Sequence, residues 1–434
     1  MAQLNSFLGV FGLIVIAWLF SDNKQKFPWR IVIWGVALQF IFCLLILGVP
    51  ILGIAGPLKF AFTAANDAVM ALIDFTLEGS RFVFGDTLLD SKKTGFIIAF
   101  QVLPTIIFMA SLMAVMYQVG VMQKVIHAIA WLMQKTMRTS GAETLSNAAN
   151  IFVGQTEAPI LIKPFVAAMT RSELFCIMVG GMANTAGGVL AAYVGLLRDR
   201  MPDIAGHLIT ASVISGPASM MIAKIMIPET EQPKTYGKIP KEVTKPIHAN
   251  VIDAAANGAI EGLQLALNVA TMLIAFIALV ALSNAVVGLA GDWIGFANWG
   301  AILVPNELMT SEPPRLSLQL ILGWAFAPLA ALIGVPWNEA GIAGSFLGEK
   351  VVLNEFVAYV HLSQLADKLS DRTFILLSYA LCGFANFSSI AIQIGGIGGM
   401  APDRRSDLAK LGIKSIIGGT ICTLMIAAVV GTFV

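Results

Sequence analysis

This sequence is short of charge. Only 12% of its 434 residues are Asp, Glu, Lys or Arg, against about a quarter in soluble domains. With 57% hydrophobic residues, a water-solvated globular domain is excluded. Histidine is scarce too: His127, His207, His248 and His361 are scattered. No His-Glu-x-x-His pair and no Gly-x-Ser-x-Gly elbow is present, so an intramembrane metalloprotease or serine hydrolase would lack its catalytic groups. The four cysteines, Cys43, Cys176, Cys382 and Cys422, lie in apolar runs without paired or metal-ligand spacing and read as packing residues. A formal net charge of +1 offers no footprint for nucleic acid. Gly395, Gly396, Gly398 and Gly399 follow no strand and meet no Lys-Ser/Thr, which excludes a phosphate loop.

What the sequence does have is long apolar runs. Segments 8–20, 31–49, 96–119, 271–290 and 415–434 approach or reach the roughly 20 residues that cross a bilayer. The first lacks a charged leader and a small-residue cleavage site, so it reads as a span and not a cleaved signal. Basic residues gather in 22–30, 124–138 and 234–245, at Lys163 and Arg171, and in 404–414; these hold sixteen of the 27 Lys and Arg residues and leave eleven elsewhere. The positive-inside rule makes these loops cytoplasmic and the N-terminus external. Segments 56–75, with Lys59, Asn66, Asp67 and Asp74, and 120–134, with Lys124 and His127, are too polar for simple spans. They read as amphipathic helices lying along the interface.

Two stretches break the apolar pattern in a related way. Residues 140–165 open with Ser140-x-x-Glu143, and a second capping-box pattern follows at Thr170-x-x-Glu173. The distance between those helix starts is too short for a full crossing and return, and Val153-Gly154-Gln155-Thr156-Glu157-Ala158-Pro159 puts polar groups and a proline in its middle. A re-entrant hairpin entering from the cytoplasmic side fits. In the second half, apolar 316–332 is broken by Gly334-Val335-Pro336-Trp337-Asn338-Glu339-Ala340-Gly341, which predicts a second hairpin entering from outside. Each is followed by an interrupted span, Ala183-Asn184-Thr185-Ala186-Gly187-Gly188 and Ala385-Asn386-Phe387-Ser388-Ser389. Two such halves entering from opposite faces point to an all-α, inverted-repeat membrane transporter with a midplane site. About eight transmembrane helices, two re-entrant hairpins and interfacial helices make up the expected fold.

A carboxylate at membrane depth costs roughly a few kcal/mol, so Glu157 and Glu339 must be paired, hydrated or facing a cavity unless they lie at the interface and only cap helices. Gln155, Thr156 and Glu157 together can pair with a planar, neutral ligand bearing donors and acceptors, as a nucleobase does. Glu339, Asn386 and Ser389 form an acceptor-rich set suited to a sugar diol. These groups could instead satisfy one another. Val189, Phe384 and Phe387 offer apolar surface for a base or sugar, or for packing. Asn150, Val153, Asn184 and Thr185 could supply carbonyl and side-chain oxygens to a cation, or bond to neighbouring helices.

Gly154-Gln155-Thr156-Glu157-Ala158-Pro159, Gly334-Val335-Pro336-Trp337-Asn338-Glu339-Ala340 and Cys382-Gly383-Phe384-Ala385-Asn386-Phe387-Ser388-Ser389-Ile390 resemble the signature segments of concentrative nucleoside transporters, in the same order. The resemblance covers nearly the whole chain. It implies a cation-coupled nucleoside symporter of the bacterial inner membrane, assembled as a homotrimer, with an outer scaffold and an inner transport domain. On that reading residues 1–135 are scaffold spans and interfacial helices, and 136–228 the first hairpin and broken helix. Residues 229–300 are then a cytoplasmic loop and scaffold span, and 301–434 the second hairpin, broken helix and last span. Gln155, Thr156 and Glu157, with Val189, would meet the nucleobase; Glu339, Asn386 and Ser389 would meet the ribose near Phe384. Sodium would sit at Asn150, Val153, Asn184 and Thr185, with a proton as the alternative coupling ion. A transporter of another small polar solute would share the hairpins. A channel would need a continuous polar pore.

Overall fold

The computed structural model describes residues 2–48, 53, 55–95, 97–240, 248–300 and 314–434. Val49, Phe96, the end of the basic 234–245 run and the expected boundary at residue 301 lie outside the described residues. The apolar runs become helices α1 (Ala2–Leu19), α2 (Trp29–Ile46), α3 (Lys59–Phe84) and α4 (Ile98–Gln118). Next comes α5 (Val121–Met137). Its Met122, Ile126, Ala130, Met133 and Met137 form one buried stripe at helical spacing, as in a helix lying on a core.

The chain then builds two similar halves. The first holds α6 (Gly141–Ala149), an irregular tip, two short helices (Ala158–Ile162 and Lys163–Val166), α7 (Arg171–Ala183), α8 (Gly187–Leu197) and α9 (Ile204–Met226). A 43-residue helix, α10 (Val251–Trp293), leads to the second. That half holds α11 (Leu318–Leu332), α12 (Trp337–Val352), α13 (Glu355–Gln364), α14 (Asp371–Ala380), α15 (Phe387–Met400) and α16 (Arg405–Gly431).

Ion pairs and hydrogen bonds fix which ends share a face. Asp22, after α1, meets Arg171 at 3.0 Å and also Lys414, and Arg404 donates to the Met169 carbonyl at 2.6 Å. This is the basic face that the charge pattern makes cytoplasmic. At the opposite face Ser6 donates to the Ile333 carbonyl at 2.7 Å, and Arg372 gathers the carbonyls of Ala2, Gly334, Gly431 and Val434. The N-terminus therefore lies opposite the basic loops, as expected.

Eight helices among the described residues are long and apolar enough to cross a bilayer, α3 included. The neighbours of α3 argue that it lies flat. Phe62 stacks edge-on against His207, Asn66 bonds Pro202 and Gly206, Asp74 pairs with Arg198, and Phe84 touches Phe100. All of these partners sit at helix ends on the face opposite the basic one. The missing crossing is α14 with α15, which runs from Asp371 to the basic face but is split at its centre.

Burial separates inner from outer helices. Along their most apolar stretches α7–α8 and α9 are each 89% buried and α16 78%, whereas α1, α2, α4 and α10 reach only 28%, 28%, 22% and 17%. The outer helices meet through small residues, which let backbones approach. A Cβ on Gly258 would lie 2.7 Å from the Ala114 methyl, and one on Gly262 2.7 Å from the Ile107 Cα.

Residues 235–238, after α9, form a strap over the first hairpin. Thr235 accepts from Gly141 N at 2.9 Å through its carbonyl and from Ala142 N at 3.0 Å through its hydroxyl, which also meets Ser140 at 2.7 Å. It thereby satisfies two N–H groups that a helix start leaves free.

Candidate functional site

Both arms of the first hairpin end on the basic face. Ser140 N donates to Glu143 at 2.9 Å, Ser140 Oγ to Glu173, and Thr170 N to Glu173 at 2.9 Å, so the two expected capping boxes form and are tied together. The tip, 150–157, is irregular and reaches the break between α7 and α8, where Gly187 N donates to the Phe152 carbonyl at 3.1 Å. This re-entrant hairpin is the one the sequence predicts.

The second half differs from expectation. The bend at Gly334 is present, with α11 and α12 meeting at 117°, but its turn lies at the membrane face beside Ser6 and Arg372. Glu339 belongs to the first turn of α12, where a carboxylate favours the helix N-terminus. It accepts from Ser370 N at 3.1 Å and Ser370 Oγ at 2.8 Å. That ties the base of the α12–α13 hairpin to the start of α14, as Ser140 and Glu173 tie the first hairpin. Glu339 is thus not brought to Asn386 and Ser389.

The carboxylate that does reach Asn386 is Glu355. The chain reverses again at Leu353-Asn354; Asn354 caps α13 by accepting from Val357 N at 2.9 Å. Buried Glu355 accepts from Asn386 Nδ2 at 3.0 Å and from the Tyr193 hydroxyl of α8 at 2.9 Å. A charged residue directly after an N-cap asparagine, inside an otherwise apolar run, was the available signal.

Around Glu355 a chain of polar contacts joins both hairpin tips. Asn386 ends the break between α14 and α15, and its Oδ1 accepts from Ser389 N at 3.0 Å and Ser388 Oγ at 2.7 Å. Gln155, at the first tip, donates to Ser389 Oγ at 3.2 Å. Gln393, also missed in the sequence, donates to Gln155 Oε1 at 3.1 Å and to the Met178 carbonyl at 3.0 Å, while its own buried Oε1 has no partner among the described residues. Two glycines permit this approach: a Cβ on Gly181 would lie 2.5 Å from Gln393, and one on Gly396 2.5 Å from Thr156. Glu157 remains exposed, bonded by Thr156 Oγ1 at 2.9 Å. Val189 is buried on α8 and Phe384 half-buried in the second break.

The four expected cation residues lie on two segments that one backbone bond joins, from Gly187 N to the Phe152 carbonyl. Asn150 ends α6, Val153 follows in the tip, and the Gly187–Phe152 bond brings that tip to the break holding Asn184 and Thr185. Asn184 Oδ1 accepts from Ser215 of α9, and Thr185 Oγ1 lies 3.7 Å from the Cys382 sulfur. The breaks touch directly: a Cβ on Gly383 would stand 2.9 Å from the carbonyl oxygens of Met182 and Ala183.

Two hairpins opening from opposite faces, each paired with a broken helix, define an inverted-repeat membrane transporter. The chain belongs to the sodium-dependent nucleoside transporter family. The models for "Na+ dependent nucleoside transporter" match its N-terminal part over residues 8–87 and its C-terminal part over 207–431, and a "Nucleoside recognition" model matches 99–200. An uncharacterized transporter of Haemophilus influenzae is 46% identical, with 100% of this chain and 98% of that protein covered. Mouse sodium/nucleoside cotransporter 1 is 39% identical over 99% of this chain and 63% of its own length. Among solved structures, CNTnw in an inward-facing substrate-bound state is 42% identical with a TM-score of 0.88, covering 100% of this chain and 98% of that one. A variant of CNTnw in an outward-facing state is 41% identical, covers 100% and 98%, and has a TM-score of 0.87.

Proposed function

We propose that the nucleoside binds along the polar chain from Gln155 through Ser389 and Asn386 to Glu355, and that sodium binds beside it at Asn150, Val153, Asn184 and Thr185. The chain is a sodium-coupled nucleoside symporter working by alternating access, and this is where the coupling takes place. The observation that carries the assignment is that one run of hydrogen-bonding groups connects both hairpin tips through the second helix break. A ligand inserted there touches both tips and that break.

Gln155, Thr156 and exposed Glu157 face the base, helped by Val189, because they offer donors and acceptors in one segment. Glu355, in the place first given to Glu339, joins Asn386 and Ser389 in holding the ribose hydroxyls near Phe384. Sodium orders the first tip against the break after α7, and the nucleoside then completes the site. With one cation per neutral nucleoside, each 100 mV of membrane potential contributes about 2.3 kcal/mol, roughly a fiftyfold accumulation. We assign the outer helices to a scaffold that forms a homotrimer in the bacterial inner membrane, and the two inner halves to the moving domain. No catalytic step is involved.

Uptake of labelled uridine and adenosine into proteoliposomes tests this, with an inward sodium gradient, with choline in its place, and with a proton gradient alone. Sodium-dependent uptake is expected. Uptake driven by protons alone would move coupling to a titrating group, and no uptake would return the solute class to question.

A further inference from the structure

The two helix breaks treat their carbonyl groups differently. A helix end leaves carbonyls without intrahelical partners, with the negative end of the helix dipole behind them. At the first break, among the described residues, no donor is bonded to the carbonyls of Ala183, Asn184 or Thr185. These are the oxygens beside the proposed sodium site. The buried lysine of that half, Lys224, is held away at the basic face, 2.7 Å from Glu143.

At the second break the corresponding carbonyl is occupied. Ala380 is the last residue of α14, and its carbonyl accepts from Lys350 Nζ at 2.8 Å. Lys350 stands on α12, five positions before the tip glutamate Glu355, and is 1% exposed. A second hydrogen bond, 2.7 Å long, reaches the Thr423 hydroxyl of α16. A buried ammonium is costly unless strongly paired, and a neutral amide could donate to one carbonyl and one hydroxyl equally well. What lysine adds is the charge, placed at the negative end of a half-helix.

We propose that Lys350 is a tethered cation: its ammonium takes, at the second break, the place that the mobile sodium takes at the first. The second half of the repeat is then permanently loaded, and only the first waits for an ion. This rests on the functional reading above.

The test is uridine binding to the purified protein by calorimetry across a sodium series at constant ionic strength, with choline as the replacement. Lys350→Ala should steepen the dependence of log Kd on log sodium by about one, since a second mobile ion is then linked to binding. Methylammonium, filling the vacated space, should restore the wild-type slope, and Lys350→Arg should keep it. An unchanged slope in Lys350→Ala overturns the proposal, as does a folded Lys350→Ala protein that binds no uridine at any sodium or methylammonium concentration. Should Lys350→Ala fail to fold, Lys350→Gln decides. A drop in uridine affinity of tenfold or more supports the charge, whereas wild-type affinity and slope show that a neutral donor suffices. A wild-type protein that binds no uridine defeats the functional reading itself, a result distinct from any of these.

Discussion

The two hairpin tips hold their glutamates in opposite conditions. Glu157 sits in an irregular eight-residue tip, 150–157, exposed and, among the described residues, bonded only within its own segment by Thr156. Glu355 sits at a two-residue reversal, buried, with its carboxylate shared between Tyr193 of the other half and Asn386 of its own. One tip is held by partners from both halves; the other exposes its carboxylate. Coupling requires such a difference, because a ligand shifts an equilibrium only by what it adds to one state over the other.

The sharpest way to break this comparison is Glu355→Ala. It strands the Tyr193 hydroxyl and the Asn386 amide in the interior, at about 1–3 kcal/mol each. Nucleoside uptake should fall by roughly a hundredfold or more and thermal stability should drop with it. Glu157→Ala separates the two effects. Removing one hydrogen bond to a charged group should weaken nucleoside binding by roughly tenfold to a hundredfold, while the melting temperature barely moves because nothing buried loses its partner. A large stability loss in this variant would mean that the first tip is also held by partners from both halves.

Glu339→Ala asks which carboxylate of the second half serves the site. Calorimetry should find nucleoside affinity within about twofold of wild type, with about 1 kcal/mol lost from stability as the Ser370 tie is cut. Equal damage to affinity from Glu339→Ala and Glu355→Ala would restore Glu339 to the site. The smallest effect is expected at the outer face, in the loop before α9. There the His207 imidazole, 3.6 Å away, holds the Asp203 carboxyl below the usual carboxylate range. A lowered folded pKa stabilises above the unfolded value of about 3.9 and is lost as pH falls through the folded one. Wild type and Asp203→Asn should therefore differ slightly in melting temperature at neutral pH and converge in acid. A gap that widens in acid would reverse the sign of this contribution.

Much of this was readable from residue order. The first hairpin announced itself through two capping boxes too close for a crossing, and both form as drawn. The flat placement of α3 followed from Asp67 and Asp74, even though its extension to Phe84 makes it long enough to span. The second hairpin was misplaced because Gly334 and Pro336 give a strong local signal for a turn, whereas Leu353-Asn354 reverses the chain with a single capping side chain. Glycine and proline report backbone geometry, not depth. A turn at the membrane face and a turn at the midplane look alike in sequence, and only the packing of α12 against its neighbours separates them. Gln393 was invisible for another reason: its partners are 238 and 215 residues away, and no local pattern encodes them.

The strap at Thr235 decides which part of the first hairpin can swing. Three hydrogen bonds fasten Ser140, Gly141 and Ala142 to one residue of the connection leading to α10. At about 0.5–1.5 kcal/mol each, they make the basic-face end of the hairpin its anchored edge, like the hinged side of a flap. The far edge, where Gln155 and Glu157 ride, lies beyond those three ties, while the root stays joined through the chain to the outer helix.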